Sequence, residues 1–88
     1  MNNLIQIYTD ISNEKYLKEK IKHEELFVLC RENVEDDKET ICAKGKLYKV
    51  IGILNNCWIV EGKNHLININ KEDYDFIPLV KGGGDNGN

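Results

Sequence analysis

Three cysteines, two histidines and two runs of carboxylates are the side chains here that could bind a metal or move a proton. Cys30, Cys42 and Cys57 are separated by eleven and fourteen residues, with His65 further on. Structural zinc sites draw their ligands from close pairs of cysteines two to four residues apart, and no such pair occurs. Each thiol lies within or beside an apolar run, where free cysteine behaves as a small hydrophobe. The cysteines are expected in the core, reduced, with no metal and no cofactor. His23 lies in a charged helical stretch and His65 at the junction of a turn and a strand. A general base needs a partner within hydrogen-bond reach. The only serine, Ser12, sits in no G-x-S-x-G elbow. The expectation is a protein without enzymatic activity.

The first carboxylate run holds Glu32, Glu35, Asp36, Asp37 and Glu39, five acids within eight positions, offset only by Lys38. The second holds Glu72, Asp73 and Asp75. Neither follows the D-x-D-x-D-G order of a calcium loop. The first run reads as a solvated loop or as an acidic recognition surface, which would attract basic partners and speed encounter. The aromatics allow a second kind of site. Tyr48 and Trp58, on neighbouring strands with Lys44, Lys46, Lys49 and Lys63 close in sequence, would either pack inside or form an exposed platform that stacks bases or a peptide. Gly82, Gly83 and Gly84 lack the Lys-Ser/Thr of a phosphate loop and read as part of a flexible tail.

These residues must be positioned by short elements. In residues 1–25, Leu4, Ile7, Tyr8 and Ile11 recur at helical steps, while Ile5, Ile7, Thr9 and Ile11 alternate as in a strand; helix is the expectation. Asn13 or Ser12 can cap a helix through Glu14–Lys22, whose residues are strong helix formers. From residue 26 the pattern changes to short apolar runs broken by turns. Leu26–Cys30 is apolar on both faces and reads as a central or covered strand. Thr40–Cys42 is a short strand and Lys46–Leu54 a long one, with Leu47, Lys49, Ile51 and Ile53 on one face. Gly52 marks a bulge or bend in it. Asn55-Asn56 connects it to a strand at Cys57–Glu61, because Asn tolerates positive φ. His65–Asn70 alternates, Lys71–Tyr74 allows one helical turn, and Asp75–Val80 closes the set, with Pro78 placing it at an edge or a strand end. The expected organisation is a helical arm (1–25), a barrel (26–80) and a tail (81–88).

With 88 residues the chain fits one domain. Its apolar fraction of 41% and charged fraction of 31% are those of a globular protein. A net charge of −3 argues against a general nucleic-acid binder, whose affinity comes mostly from neutralised phosphates. No apolar run reaches membrane-spanning length, and the opening Met1–Leu4 has no basic region leading into a long apolar core, so no export signal is expected.

The phrase Gly45-Lys46-x-Tyr48-x-Val50, set between the acidic loop and an Asn-Asn hairpin and followed by a closing Phe76-x-Pro78 strand, resembles the small SH3-like β-barrel proteins of Firmicute phages and prophages. The resemblance covers residues 26–80. It implies a mainly β fold, a five-stranded SH3-like barrel, to which the periodicity of residues 1–25 adds an N-terminal helical arm; reduced cysteines without an export signal lead to the expectation of a place in the cytoplasm of a bacterial host. Some small phage proteins of this size block host defences. The expected function is a binding module that docks on a protein partner, with the acidic residues occupying a basic, nucleic-acid-binding surface. The alternatives are a weak single-stranded nucleic-acid binder using Tyr48, Trp58, Lys46 and Lys49, or an oligomeric sponge for a nucleotide or small ligand.

Overall fold

The computed structural model describes residues 3–82. In chain order the elements are β1 (Leu4–Gln6), a 3-10 turn (Thr9–Ser12), α1 (Glu14–Lys22), β2 (Leu26–Cys30), β3 (Val34–Glu35), β4 (Thr40–Cys42), β5 (Leu47–Leu54), β6 (Cys57–Glu61), β7 (Leu66–Asn70) and β8 (Phe76–Lys81). Six strands form one antiparallel sheet in the order β1-β8-β2-β5-β6-β7, and β3 pairs with β4 as a separate two-stranded ribbon.

This corrects the expected five-stranded SH3-like barrel with a helical arm. Among the described residues the sheet has two free edges, β1 and β7, which do not pair with each other, so no barrel closes. The sixth strand comes from the segment expected to be helical. Leu4, Ile5 and Gln6 pair with Lys81, Val80 and Leu79. The alternating pattern wins there because β8 offers a row of open backbone groups, whereas an isolated helix this short cannot stabilise itself. Helix begins only where the sequence supplies a cap: the Asn13 side chain accepts the Tyr16 N–H at 3.1 Å. The expected barrel boundary at residue 26 therefore cuts across the sheet. Of the expected 81–88 tail, Lys81 is the last residue of β8 and Gly82 donates to the Asn3 carbonyl; the rest lies outside the described residues.

Pro78 sits in an interior strand between β1 and β2, not at an edge. Its backbone faces β1, and its carbonyl accepts the Ile7 N–H at 3.2 Å, just past the end of β1. The N–H that proline lacks would have pointed to the same rung, so the ladder to β2 is complete.

The core gathers on one side of the sheet. Trp58, Leu17, Leu26, Val28, Val50 and Val60 are fully enclosed, and α1 lies over them through Leu17, Tyr16 and Ile21. β5 holds the two halves of the sheet together. Its first residues pair with β2, its last with β6, and the register shifts between Val50 and Gly52. Ile51 is the extra residue of this bulge. Before it, Tyr48 and Val50 point inward; after it, Ile53 points inward beside Trp58. The expected single face of Leu47, Lys49, Ile51 and Ile53 is therefore split, because one inserted residue reverses a strand's side-chain parity.

Candidate functional site

The acidic residues sit on the β3–β4 ribbon, and the ribbon is fastened at its base. Gly45 N–H donates to the Cys30 carbonyl at 2.7 Å, Lys44 N–H to Asn33 Oδ1 at 2.7 Å, and Ala43 N–H to the Tyr48 hydroxyl at 2.7 Å. Gly45 takes φ 83°, a left-handed conformation that glycine adopts without a side-chain clash. Cys42 is buried, and Val34 and Ile41 pack against the core, so the ribbon's inner side joins the core. Its outer side and tip carry Glu32, Glu35, Asp36, Asp37 and Glu39, all exposed.

The tip has its own internal order. Asp36 Oδ1 accepts the Lys38 N–H at 2.8 Å and the Glu39 N–H at 2.9 Å, while Asp36 N–H donates to the Glu39 carbonyl at 3.0 Å. Those two donated bonds hold the Asp36 carboxyl below its ordinary range, since both favour the charged form. Thr40 Oγ1 donates to Glu35 Oε2 at 3.4 Å. None of the five carboxylates is paired with a cation among the described residues. The ribbon is thus a preformed, solvated block of negative charge on an anchored hairpin.

The ribbon leaves the sheet between β2 and β5, next to a second feature that sequence reasoning did not pick out. Strand β2 alternates strictly: Leu26, Val28 and Cys30 are buried, and Phe27 and Leu29 lie on the opposite face. Register places Phe27 beside Leu79 and Lys49, and Leu29 beside Ile77 and Leu47. None of Phe27, Leu29, Leu47, Ile77 and Leu79 belongs to the core cluster or packs against it, and Leu47 is 41% exposed. The signal was the two-faced apolar character of Leu26–Cys30, which is the mark of a strand needing cover on both sides. The helix covers one side. Among the described residues no element covers the other.

The alternative reading of an aromatic platform is not met, and the packing reading holds for both rings. Trp58 is 0% exposed and Tyr48 6% exposed; both belong to the core. The Tyr48 hydroxyl is engaged by Ala43, and Lys71 Nζ lies 5.0 Å from the centroid of the Trp58 ring while donating to the Ile11 carbonyl at 3.2 Å. Lys46 Nζ is 5.7 Å from the Tyr48 ring, but Lys49 points to the opposite face, between Glu24 at 3.1 Å and Glu61 at 3.9 Å. Lys44 and Lys63 are exposed. The four lysines therefore do not share one stacking surface.

The remaining candidates are structural in their surroundings. Cys30 and Cys42 are buried and Cys57 half-buried, all as free thiols. Burial pushes both the Cys30 and Cys42 thiols up, although Cys30 donates to the Glu32 carbonyl at 2.9 Å, a bond that partly opposes the shift. His23 contacts Glu19 at 2.9 Å one turn away on α1. Asp73 Oδ1 accepts the Asp75 N–H at 2.9 Å and shapes the β7–β8 turn. Among the described residues the cysteines, histidines and acids form no cluster of three that could hold a metal ion, and no helix is long and apolar enough to cross a membrane. No protein-family model, curated protein or solved structure matches this chain.

Proposed function

We propose that this protein is a non-enzymatic binding module that docks on a basic protein surface, of the kind that nucleic-acid-binding proteins present. The observation that carries this reading is the acidic ribbon: five exposed carboxylates, no cationic partner among the described residues, and a base whose backbone N–H groups are held by the Cys30 carbonyl, the Asn33 side chain and the Tyr48 hydroxyl. A fixed array of charge loses little conformational freedom on binding, which conserves affinity. The adjacent apolar face of Phe27, Leu29, Leu47, Ile77 and Leu79 supplies surface that gains from burial, roughly 25 cal/mol per Å2. In this reading the ribbon steers and orients, and the apolar face holds. A partner whose basic surface is occupied in this way would lose access to nucleic acid.

The test begins with partners captured from a bacterial lysate and identified by mass spectrometry. The purified partner is then bound to wild-type protein and to the Glu35→Gln/Asp36→Asn/Asp37→Asn variant across a salt series. The expected result is slower association of the variant with a flatter salt dependence, and competition between the wild-type protein and nucleic acid for the partner. Equal rates and equal salt response for the two proteins would overturn the proposal.

A further inference from the structure

The free edge of β7 is the other feature of the sheet that no element satisfies among the described residues. Two bonds at its ends set the phase of its ladder: Gly62 N–H donates to the His65 carbonyl at 2.9 Å, and Lys71 N–H to the Asn56 carbonyl at 2.8 Å. Register pairs Ile67 with Val60 and Ile69 with Trp58. The odd-numbered residues of β7 therefore bond to β6, and the backbone groups of Leu66, Asn68 and Asn70 point away from the sheet. Among the described residues, only the Asn70 carbonyl of these has a partner, the Asp73 N–H at 3.0 Å. Edge strands are usually protected by charge, proline or a bulge. This one, Leu66-Ile67-Asn68-Ile69-Asn70, has none of the three, and its Leu66 is 57% exposed.

We propose that β7 pairs with β7 of a second copy of this chain, antiparallel about a two-fold axis at Asn68. The outward phase of the even-numbered residues permits a bonded rung at Asn68 with its own copy, and bonded rungs between Leu66 and Asn70 on either side. The interface is self-complementary, as a two-fold contact must be. On the core side Ile67, half-buried in one chain, meets Ile69 of the other. On the outer side the two Asn68 amides face each other and can hydrogen-bond. Just beyond the strand ends the same register carries Lys63 of one copy toward Asp73 of the other, and neither has an ion-pair partner within its own chain among the described residues. That charge match favours a second copy over an arbitrary extended peptide. The other edge, β1, is three residues long and turns away into the 3-10 turn, so it competes poorly.

Sedimentation equilibrium over a concentration series tests this. Wild-type protein is expected to pass from monomer to dimer. Asn68→Lys places two like charges on the axis, while its exposed position in the single chain leaves the fold unchanged by circular dichroism. That variant should dimerise at least about tenfold more weakly. Lys63→Asp and Asp73→Asn, which keeps an Oδ1 acceptor for the Asp75 N–H, should each weaken the dimer, while Lys63→Arg should leave it as in the wild type. A wild-type protein that stays monomeric throughout, or an Asn68→Lys variant that dimerises as the wild type does, overturns the proposal. Assembly beyond the dimer would do so as well, because a two-fold β7 contact closes on itself.

Discussion

Replacing Trp58 tests the centre of the fold and one of its unresolved costs together. Trp58 is 0% exposed, paired in register with Ile53 on one side and Ile69 on the other, and roofed by Lys71. Its indole Nε1 is buried and has no hydrogen-bond partner among the described residues. Trp58→Ala removes the largest enclosed side chain, which costs about 3–5 kcal/mol in lost transfer energy and cavity. A domain of 88 residues has only about 4–13 kcal/mol of total stability. The alanine variant should therefore be close to unfolding, with Tm lowered by more than about 12 °C. Trp58→Phe behaves differently. It gives up part of the ring volume but also removes an unsatisfied buried donor, whose burden is about 1–3 kcal/mol. The two effects nearly offset, and the phenylalanine variant should lie within about 1.5 kcal/mol of wild type. Urea unfolding followed by far-ultraviolet circular dichroism measures all three proteins, since the variants lose the only tryptophan. An alanine variant that loses less than about 1 kcal/mol would refute the placement of Trp58 at the centre of the core. A phenylalanine variant as damaged as the alanine one would refute the claim that Nε1 is unsatisfied.

Asn13→Ala removes the side-chain cap of α1 and should cost about 1 kcal/mol in the same unfolding assay, most of it recovered by Asn13→Asp. Glu24 has φ 58° at the end of α1, so Glu24→Gly relieves backbone strain of about 1–2 kcal/mol, reduced by the loss of its ion pair with Lys49; a modest net gain in Tm is expected. Asp36 should titrate below the ordinary aspartate value of 3.8 in a carbon-detected NMR series. Its lowered folded value means that its contribution to stability is complete above the ordinary range and is lost as pH falls through the folded value, a loss that Asp36→Asn should abolish. With iodoacetamide, half-buried Cys57 should react first, while Cys30 and Cys42, buried with raised thiol pKa values, should react only at the rate of unfolding; equal reactivity of all three would contradict their placement.

Most strands after residue 25 were legible because their signals are local. Leu26–Cys30, Thr40–Cys42 and Cys57–Glu61 have the bounds read from the apolar runs, and the Asn55-Asn56 connector has Asn55 at φ 56°. The N-terminal strand was not legible, because Leu4–Gln6 becomes a strand only by pairing with residues about 75 positions away, and short segments with two competing periods are decided by the neighbour they meet. Closure failed for the same reason. Local patterns give strands but not the pairing of the first edge with the last. The face assignment beyond Ile51 went wrong because a bulge changes parity by one residue, and Gly52 signalled its presence without signalling which residue was extra.

The acidic ribbon was legible as composition, and its exposure follows from the cost of burying five like charges. What the sequence could not show is that the ribbon is held still. Its anchors, the Tyr48 hydroxyl, the Asn33 side chain and the Cys30 carbonyl, come from three different segments and meet only in the folded chain. The aromatic platform shows the opposite lesson. Tyr48 and Trp58 suit both packing and stacking by residue type, with packing the favoured reading, and the deciding term is area. A domain this small has few large side chains, and a core without its only tryptophan would lack the burial that offsets chain entropy. Trp58 is therefore drawn inward, and Tyr48 with it, its hydroxyl reaching the ribbon. The surface keeps the features that the core could not absorb. These are the acids of the ribbon, the second face of β2 with its neighbours, and the unpaired edge of β7. The face belongs to β8, β2 and β5, the ribbon joins β2 to β5, and the edge belongs to β7, with β6 between them, so a partner could bind the first two while two copies meet at the third.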